Sequence, residues 1–200
     1  MRWNNLFDDL EGQLEHELTA EEVDLQVEEE RLRIGRLSVR DRLLAVHQAD
    51  SRTSSSSIRV TLTGGATIAV RPTTFGKDWF AADLVEESER HSQCILPLAA
   101  IASLVLTRGQ IAQSLRASAV PDSTRGLSAR LSLVFVLRDL CRRRRSLELR
   151  LATGDLYGTI DRVGRDHLDL AIHEPGVPRR DSAVTQYCVV PLAQVLLVRI

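Results

Sequence analysis

The chain of 200 residues has few of the residues that build metal or cofactor sites. Its three cysteines, Cys94, Cys141 and Cys188, form no CxxC or Cys/His spacing that suits zinc. No pair of its five histidines has the helical spacing of a shared metal site, and glycine-rich phosphate-binding loops are absent from the sequence. We therefore predict no metal site and no cofactor.

Long apolar segments are also missing. No apolar run approaches the roughly 20 residues that span a bilayer, and the N-terminus carries Asp and Glu instead of a basic region followed by an apolar one. We expect a cytoplasmic protein that does not bind membranes. In that compartment, small buried strand residues are the favoured interpretation of Cys94 and Cys188, and a disulfide between them is the alternative.

The sequence lacks a recognisable catalytic group. His167 and Asp169 place an imidazole and an acid on one strand face, but no nucleophile with a positioned base accompanies them, and a surface histidine is the commoner explanation. Asp78 and Asp166 recur in a Gly-basic-Asp turn, where a carboxylate can accept hydrogen bonds from turn amides. Their repetition favours a structural role, and we predict that the protein is not an enzyme.

What the chain does contain is an uneven charge distribution. The formal net charge is only −1, but residues 1–50 hold 13 acidic against 6 basic side chains, and residues 51–200 hold 14 against 20. Such asymmetry is typical of a basic surface that meets nucleic acid, of an acidic arm that folds over it, or of two independent partner surfaces.

An internal repeat is the clearest feature of the sequence. Three pairs of segments match in the same order, and each contains alternating apolar residues, a glycine turn or a proline break: Ile58–Gly65 with Leu147–Gly154, Gly76–Leu84 with Gly164–Ile172, and Cys94–Ile101 with Cys188–Val195. Upstream of them, Leu37–Leu43 matches Leu131–Leu137 and predicts a short helix before each copy. Each copy is therefore predicted to be one helix followed by about five strands.

The short spacers between these segments suit antiparallel hairpins. A closed or nearly closed barrel is the simplest way for so short a sheet to hide its edges. We predict a mainly β (α+β) protein made of two tandem small antiparallel barrels, each preceded by a short helix, with an additional N-terminal helical segment.

The unit length, the leading helix and the strand order resemble the Sm-like fold of Sm, LSm and Hfq proteins and related SH3-like barrels. The first strand with its glycine turn, the second strand and the Gly-x-Asp turn resemble that family's first motif. The family's second motif, with a basic residue and a glycine, is replaced by Pro97-Leu-Ala-Ala and Pro191-Leu-Ala-Gln, so the resemblance implies no uridine pocket. The two-copy layout also resembles a group of actinobacterial proteins, which implies no activity.

The composition suggests four parts: an acidic amphipathic helical arm at residues 1–35, a first barrel module at 36–106, a linker at 107–128 and a second module at 129–200. The arm carries Leu6, Phe7, Leu10 and Leu14 at helical spacing, and the segment Thr19–Glu22 fits a capping box that opens a second helix. Its apolar stripe packs on the protein's own barrels, or it docks on a partner protein or on its copy in a dimer.

The strongest functional signal is basic. We predict a site for RNA or DNA on the second module, with backbone phosphates held by Arg138, Arg142, Arg143, Arg144, Arg145, Arg162, Arg165 and, from the first module, Lys77. Aromatic residues make up only 4% of the chain, which argues against single-strand stacking platforms. Two alternatives stay open: a solvated charged face, and a protein-protein interaction scaffold that docks through the acidic helices and the barrel edges.

The resemblance also bears on assembly, because Sm-like barrels add the edge strand of one barrel to its neighbour. Two copies in one chain can satisfy such an edge internally. The apolar last strands, residues 102–106 and 196–200, would then face each other or a second chain. We expect a monomer with pseudo-two-fold symmetry or a homodimer.

Overall fold

The computed structural model of the protein describes residues 22–50, 57–85, 92–116 and 126–200. Its contacts divide the chain into two units, residues 1–40 and residues 41–200. In the first unit, residues 22–35 form helix α1. This agrees with the second of the two helices predicted for the N-terminal segment.

Ten antiparallel strands form one continuous open sheet in the second unit. The strands are β1 Ile58–Leu62, β2 Thr67–Phe75, β3 Trp79–Leu84, β4 Gln93–Pro97, β5 Ile101–Val105, β6 Ser146–Leu151, β7 Gly154–Val163, β8 His167–Ile172, β9 Gln186–Pro191 and β10 Val195–Arg199. Their order across the sheet is β5-β1-β2-β3-β4-β10-β6-β7-β8-β9. The prediction of a β-rich α+β protein is confirmed.

The first copy (β1–β5) and the second copy (β6–β10) have the same strand order and the same irregularities. The bulge residue opposite the third strand is Thr73 in β2 and Asp161 in β7. The bulge residue opposite the first strand is Ala102 in β5 and Leu196 in β10. A bulge changes the direction of the strand and of one side chain, so matching bulges show that the repeat extends to the details of the backbone.

A short helix precedes each copy, as predicted. These helices are α2, Val39–Asp50, and α4, Leu133–Arg142. In α4 the buried residues Leu133, Leu137 and Leu140 follow the spacing i, i+4, i+7, which places them on one face of a helix.

The segment predicted to be a linker contains a helix, α3, at Arg108–Ser114. It begins with a capping box, in which the Thr107 hydroxyl accepts from the Gln110 amide and the Gln110 side chain accepts from the Thr107 amide. The Arg42 guanidinium of α2 donates to the Ser114 hydroxyl, and this contact fixes α3 beside α2. The Thr-x-x-Gln pattern predicts such a helix start, but the helix is only seven residues long and has little periodicity.

Each copy has its own hydrophobic core, and strand β10 contributes to both. Leu196 and Leu197 pack in the core of the first copy, whereas Val195 and Val198 pack in the core of the second. The first copy in turn contributes Ile95 to the second core. The joint between the copies is therefore part of the hydrophobic core. Burial of one such side chain contributes about 1.5–3 kcal/mol to stability.

The strand pairing corrects two expectations. Among the described residues, the fourth and fifth strands of a copy do not pair with each other, so neither copy closes into a barrel through its strand ladder. The two last strands do not face each other either: β10 pairs with β4, and β5 lies at the outer edge of the sheet. The apolar residues of β4 pack against those of β10. Because the joint pairs two different strands of the repeat, it relates the copies head to tail and not by a two-fold axis.

The favoured interpretation of the cysteines is confirmed for Cys94, whereas Cys188 is only partly buried. None of Cys94, Cys141 and Cys188 forms a disulfide. Cys94 is buried, and its thiol donates to the carbonyl of Ala82 at 3.3 Å. It is a small core residue of strand β4, as predicted.

Candidate nucleic-acid interface

The four-arginine run forms the C-terminal turn of α4. Arg143 keeps helical backbone angles, and Arg144 turns into the left-handed region with φ of 52°. The Arg144 amide donates to the carbonyl of Cys141 at 3.0 Å, and the Arg145 amide donates to that of Leu140 at 3.2 Å. This is a Schellman motif with arginine at the position that glycine usually occupies.

Two arginines of the run bind an acid on their own helix. The Arg143 Nε atom donates to Asp139 Oδ2 at 2.6 Å, and Arg142 donates to Oδ1 of the same carboxylate. Both side chains are mostly exposed, so these pairs are screened by solvent and contribute little to stability. The positive charges also lie beside the negative end of the helix dipole, which gives the run a structural role as well.

A third arginine binds an acid of the strand below. Arg144 Nη1 donates to Asp161 Oδ1 at 2.8 Å, and Arg179 holds the same carboxylate through Nε at 3.0 Å and Nη2 at 2.6 Å. Arg179 comes from the excursion between β8 and β9, and it also binds Asp181. Asp161 therefore joins the end of α4 to this excursion.

The position of Asp161 follows from the bulge in β7. As the extra residue in that strand, Asp161 departs from the regular alternation of side chains, and its backbone carbonyl accepts from the Cys141 thiol at 3.4 Å. Hydrogen bonds from Arg179 lower the pKa of the Asp161 carboxyl, and the positive charges of Arg179 and Arg144 act in the same direction, against a smaller opposing effect of burial. The carboxylate is therefore ionised at neutral pH and can orient both arginines.

Two further arginines complete this surface, which we call the arginine cluster: Arg138, Arg142, Arg143, Arg144, Arg145 and Arg179. Arg138 lies one helical turn before Arg142 and is exposed, as is Arg145. In the part of the chain that the structure describes, Arg138 and Arg145 have no acidic partner. Among the described residues, Asp139, Asp161 and Asp181 are the acids that bind these six arginines, so this part of the surface has an excess of positive charge.

The other predicted phosphate ligands share no ion pair with this cluster among the described residues. Lys77 is near the opposite end of α4, because its amide donates to the carbonyl of Leu131, and a ten-residue helix is about 15 Å long. Arg165 lies in the turn that follows β7, which ends at Val163. Arg162 faces Asp169 at 3.7 Å. All three are exposed, and Arg162 is the one that binds an acid among the described residues.

Sequence reasoning missed Asp161, which organises two arginines of the cluster. An acid inside a strand was the available signal, but the bulge that directs it toward α4 is invisible in the sequence. The predicted docking residues Leu6, Phe7, Leu10 and Leu14 lie outside the described residues.

His167 is an exposed surface histidine, in agreement with the commoner explanation. His167 Nδ1 hydrogen-bonds Asp166 Oδ1 at 2.8 Å, and Asp169 faces Arg162. Asp78 has the expected structural role through a different partner, because its Oδ1 atom accepts from the Leu133 amide at 2.7 Å at the start of α4. Within residues 22–50, 57–85, 92–116 and 126–200, no three His, Cys, Asp or Glu side chains form a group that could hold a metal.

Comparisons with known proteins add no family. No protein-family model matches the chain, and neither curated proteins nor solved structures give a significant match. Among the described helices, none combines the length and hydrophobicity needed to cross a bilayer.

Proposed function

We propose that the protein is a non-enzymatic nucleic-acid-binding module and that the arginine cluster is its contact surface. The observation that carries this proposal is the exposed excess of arginine at the end of α4. Arginine binds phosphate strongly because its planar guanidinium donates two parallel hydrogen bonds. The resemblance to Sm-like proteins makes RNA the favoured ligand.

The backbone of Arg144 supports a role for this turn beyond stability. A left-handed residue other than glycine costs roughly 1–2 kcal/mol, and a surface ion pair returns at most about 1 kcal/mol. The chain nevertheless has arginine here and directs it by Asp161. Strain of this kind favours a functional interpretation of the side chain.

We further propose that each copy is an Sm-like barrel whose strands bend at the bulges without a ladder between the fourth and fifth strands. The order fifth-first-second-third-fourth in both copies and the short 3-10 turn before each fifth strand support this proposal. An experimental structure tests it: the fourth and fifth strands of one copy should pack around a common core. Two flat stacked sheets would contradict it.

The ion pairs rank the arginines by their availability. Arg142, Arg143 and Arg144 must exchange a carboxylate for a phosphate, so part of the gain is lost. Arg138 and Arg145 give up only water. We therefore expect these two to contribute most to affinity and to the salt dependence, which reflects the counterions released per phosphate.

The test is the double variant Arg138→Ser, Arg145→Ser, measured with a labelled single-stranded RNA by fluorescence anisotropy at two salt concentrations. We expect affinity to fall about tenfold and the slope of log K against log salt to fall by about 1.4, because each lost phosphate contact contributes about 0.7. A matched control removes the same charge outside the arginine cluster, at Arg59 of β1 and Arg108 of α3: Arg59→Ser, Arg108→Ser, both exposed. Equal losses of RNA affinity in the two variants would mean that binding depends on net charge alone, and the arginine cluster would then not be a specific site.

The second candidate is the interaction scaffold, and exposed apolar side chains favour it. More than half of the surface of each of four residues in α1 is exposed: Val23, Leu25, Val27 and Leu32. Deleting residues 1–35 separates the two candidates. The truncated chain should keep RNA affinity if the arginine cluster binds RNA, and it should lose a co-purifying protein if the arm is the docking element.

A further inference from the structure

The joint between the two copies is an antiparallel pairing of β4 with β10. Ile95 lies opposite Val198, Cys94 lies opposite Arg199, and the Ile200 amide donates to the carbonyl of Gln93 at 2.9 Å. The pairing leaves Ile95 only 4% exposed. The joint therefore combines a backbone ladder with side-chain burial.

A turn of the first copy adds a second contact to the joint. Trp79 Nε1 donates to the carbonyl of Leu131 at 3.0 Å, and Asp78 accepts from the Leu133 amide. The turn between the second and third strands of one copy thus holds the start of the helix that precedes the next copy. Both contacts relate unlike parts of the repeat.

Each strand of this joint has a counterpart at one outer edge of the sheet, and these two counterparts do not pair with each other. Strand β9 is the counterpart of β4, and strand β5 is the counterpart of β10. Among the described strands, β9 pairs only with β8, and β5 pairs only with β1.

Apolar side chains on the two outer strands, β9 and β5, are exposed to solvent. Val189 occupies in β9 the place of Ile95 in β4, and it is 69% exposed where Ile95 is 4% exposed. Tyr187 is 61% exposed on the same strand, and Val105 of β5 is 40% exposed. An edge strand with exposed apolar residues is a template for pairing with another chain.

We infer that a second copy of this chain occupies the edge, with its β5 paired antiparallel to β9 in the register of the internal joint. Each chain has one outer strand equivalent to β4 and one equivalent to β10. Because β4 and β10 pair within the chain, their counterparts can pair in the same way between two chains. Val189 of one chain then lies opposite Leu104 of the next, and Cys188 lies opposite Val105. The contact is heterologous, so it generates a closed ring or an extended array of chains.

The register provides a direct test. In the joint, Ile200 and Gln93 share a ladder hydrogen bond, so the neighbouring pair Arg199 and Cys94 is a close, non-hydrogen-bonded pair. The corresponding pair between chains is Val105 with Cys188. The Cα separation of such a pair, about 4.5 Å, suits a disulfide.

The experiment is oxidation of the full-length Val105→Cys variant, followed by non-reducing electrophoresis. We expect a ladder of crosslinked dimers and higher species that disappears in the control Val105→Cys, Cys188→Ser. Crosslinks that persist in the control would not involve Cys188 and would overturn the head-to-tail register. An uncrosslinked chain would overturn the proposal as well.

A second measurement needs no new cysteine. The backbone amide of Val189 points away from β8, by equivalence with Ile95, so Val189→Pro removes an outward donor and keeps the ladder to β8. Sedimentation should show the wild type as multiples of one chain and Val189→Pro as a single chain, whereas Val189→Thr, which keeps the amide, should still assemble. Equal masses for all three proteins would refute the inference, with circular dichroism confirming that each variant is folded.

Discussion

The turn between the second and third strands has one pattern in both copies and two different surroundings. In the first copy it runs Gly76-Lys-Asp-Trp79, and in the second Gly164-Arg-Asp-His167. The ring of the last residue lies over the glycine in both: a Cβ added to Gly76 would be 2.1 Å from Trp79, and one added to Gly164 would be 2.5 Å from His167. Trp79 is buried in the joint, whereas His167 is exposed beside Asp166.

Different residues of this turn determine its shape and its contacts. The glycine and the ring determine the shape of the turn, since no side chain fits between them. The identity of the ring determines what the turn binds: an indole can fill a core and donate one hydrogen bond, whereas an imidazole pairs with an acid at the surface. Substitutions at equivalent positions should therefore have unequal effects.

The largest difference is expected between Trp79→Ala and His167→Ala. Trp79→Ala removes a buried ring from the second core and its hydrogen bond to Leu131, which should lower the free energy of unfolding by about 3–5 kcal/mol. His167→Ala should change it by less than about 0.5 kcal/mol. Urea unfolding of both variants provides the measurement, and similar losses would mean that the two turns have similar surroundings.

The pair Ile95→Ala and Val189→Ala extends the comparison to the strand edges. Ile95→Ala leaves a cavity in the joint and should cost about 3 kcal/mol. At protein concentrations where the chain is a monomer, Val189→Ala should cost less than about 0.5 kcal/mol. The cost of Val189→Ala should grow with protein concentration if a second chain covers β9, and a constant cost would argue against that contact.

These pairs also show what the sequence can and cannot predict. Alternation in Ile58–Gly65 and Leu147–Gly154, the glycine turns and the prolines at 97 and 191 are local signals, and they predicted the ten strands, their hairpins and the helices before each copy. Local signals act within a copy because the first four strands of each copy pair in consecutive order.

Pairing between the copies depends on nonlocal contacts, and of the two alternatives the one in which the last strands face each other was wrong. Ile95 and Val189 occupy matching positions in similar sequences, so nothing local shows that one is buried and the other is exposed. The bulge at Asp161 could not be predicted from the sequence either, because an extra residue in a strand is recognisable only from the register of the paired strand. The candidate site could be predicted as an arginine run, but not as a cluster directed by one carboxylate.

The bulge residues give the next comparison, Asp161→Asn against Thr73→Ala. The folded state lowers the pKa of Asp161, through hydrogen bonds from Arg179 first, so the ionised carboxylate stabilises the fold at neutral pH. Asp161→Asn should cost about 1–2 kcal/mol, whereas the exposed Thr73 should tolerate alanine.

The pH dependence of the Asp161 effect has a definite sign. A lowered pKa contributes stability that is fully present above the unfolded value, about 3.9, and is lost as the pH falls through the folded value. The stability difference between wild type and Asp161→Asn should therefore be constant from pH 7 to pH 5 and shrink below pH 4. Thermal unfolding across this range tests it, and a difference that persists at low pH would exclude the ionised carboxylate as its source.

A smaller effect is expected at the turn aspartates. Asp78→Ala removes the acceptor of the Leu133 amide at the start of α4 and should cost about 1 kcal/mol, as the loss of a helix cap does. Asp166→Ala removes only an exposed partner of His167, so its melting temperature should match that of the wild type. A loss at Asp166 as large as that at Asp78 would indicate a further contact of this turn, such as one made by a second chain.

The smallest expected change is the most informative about the arginine cluster. Arg144→Gly relieves the left-handed backbone, worth roughly 1 kcal/mol, and loses an exposed ion pair worth up to about 1 kcal/mol, so the free energy of unfolding should not fall and should rise by at most about 1 kcal/mol. RNA affinity should fall in the same variant, because a guanidinium directed at the surface is gone. A residue that stabilises neither the helix end nor the strand below, but is required for binding, is a ligand contact. If Arg144→Gly instead lowers stability by more than 1 kcal/mol with unchanged RNA affinity, the pair with Asp161 is structural and the binding surface lies elsewhere.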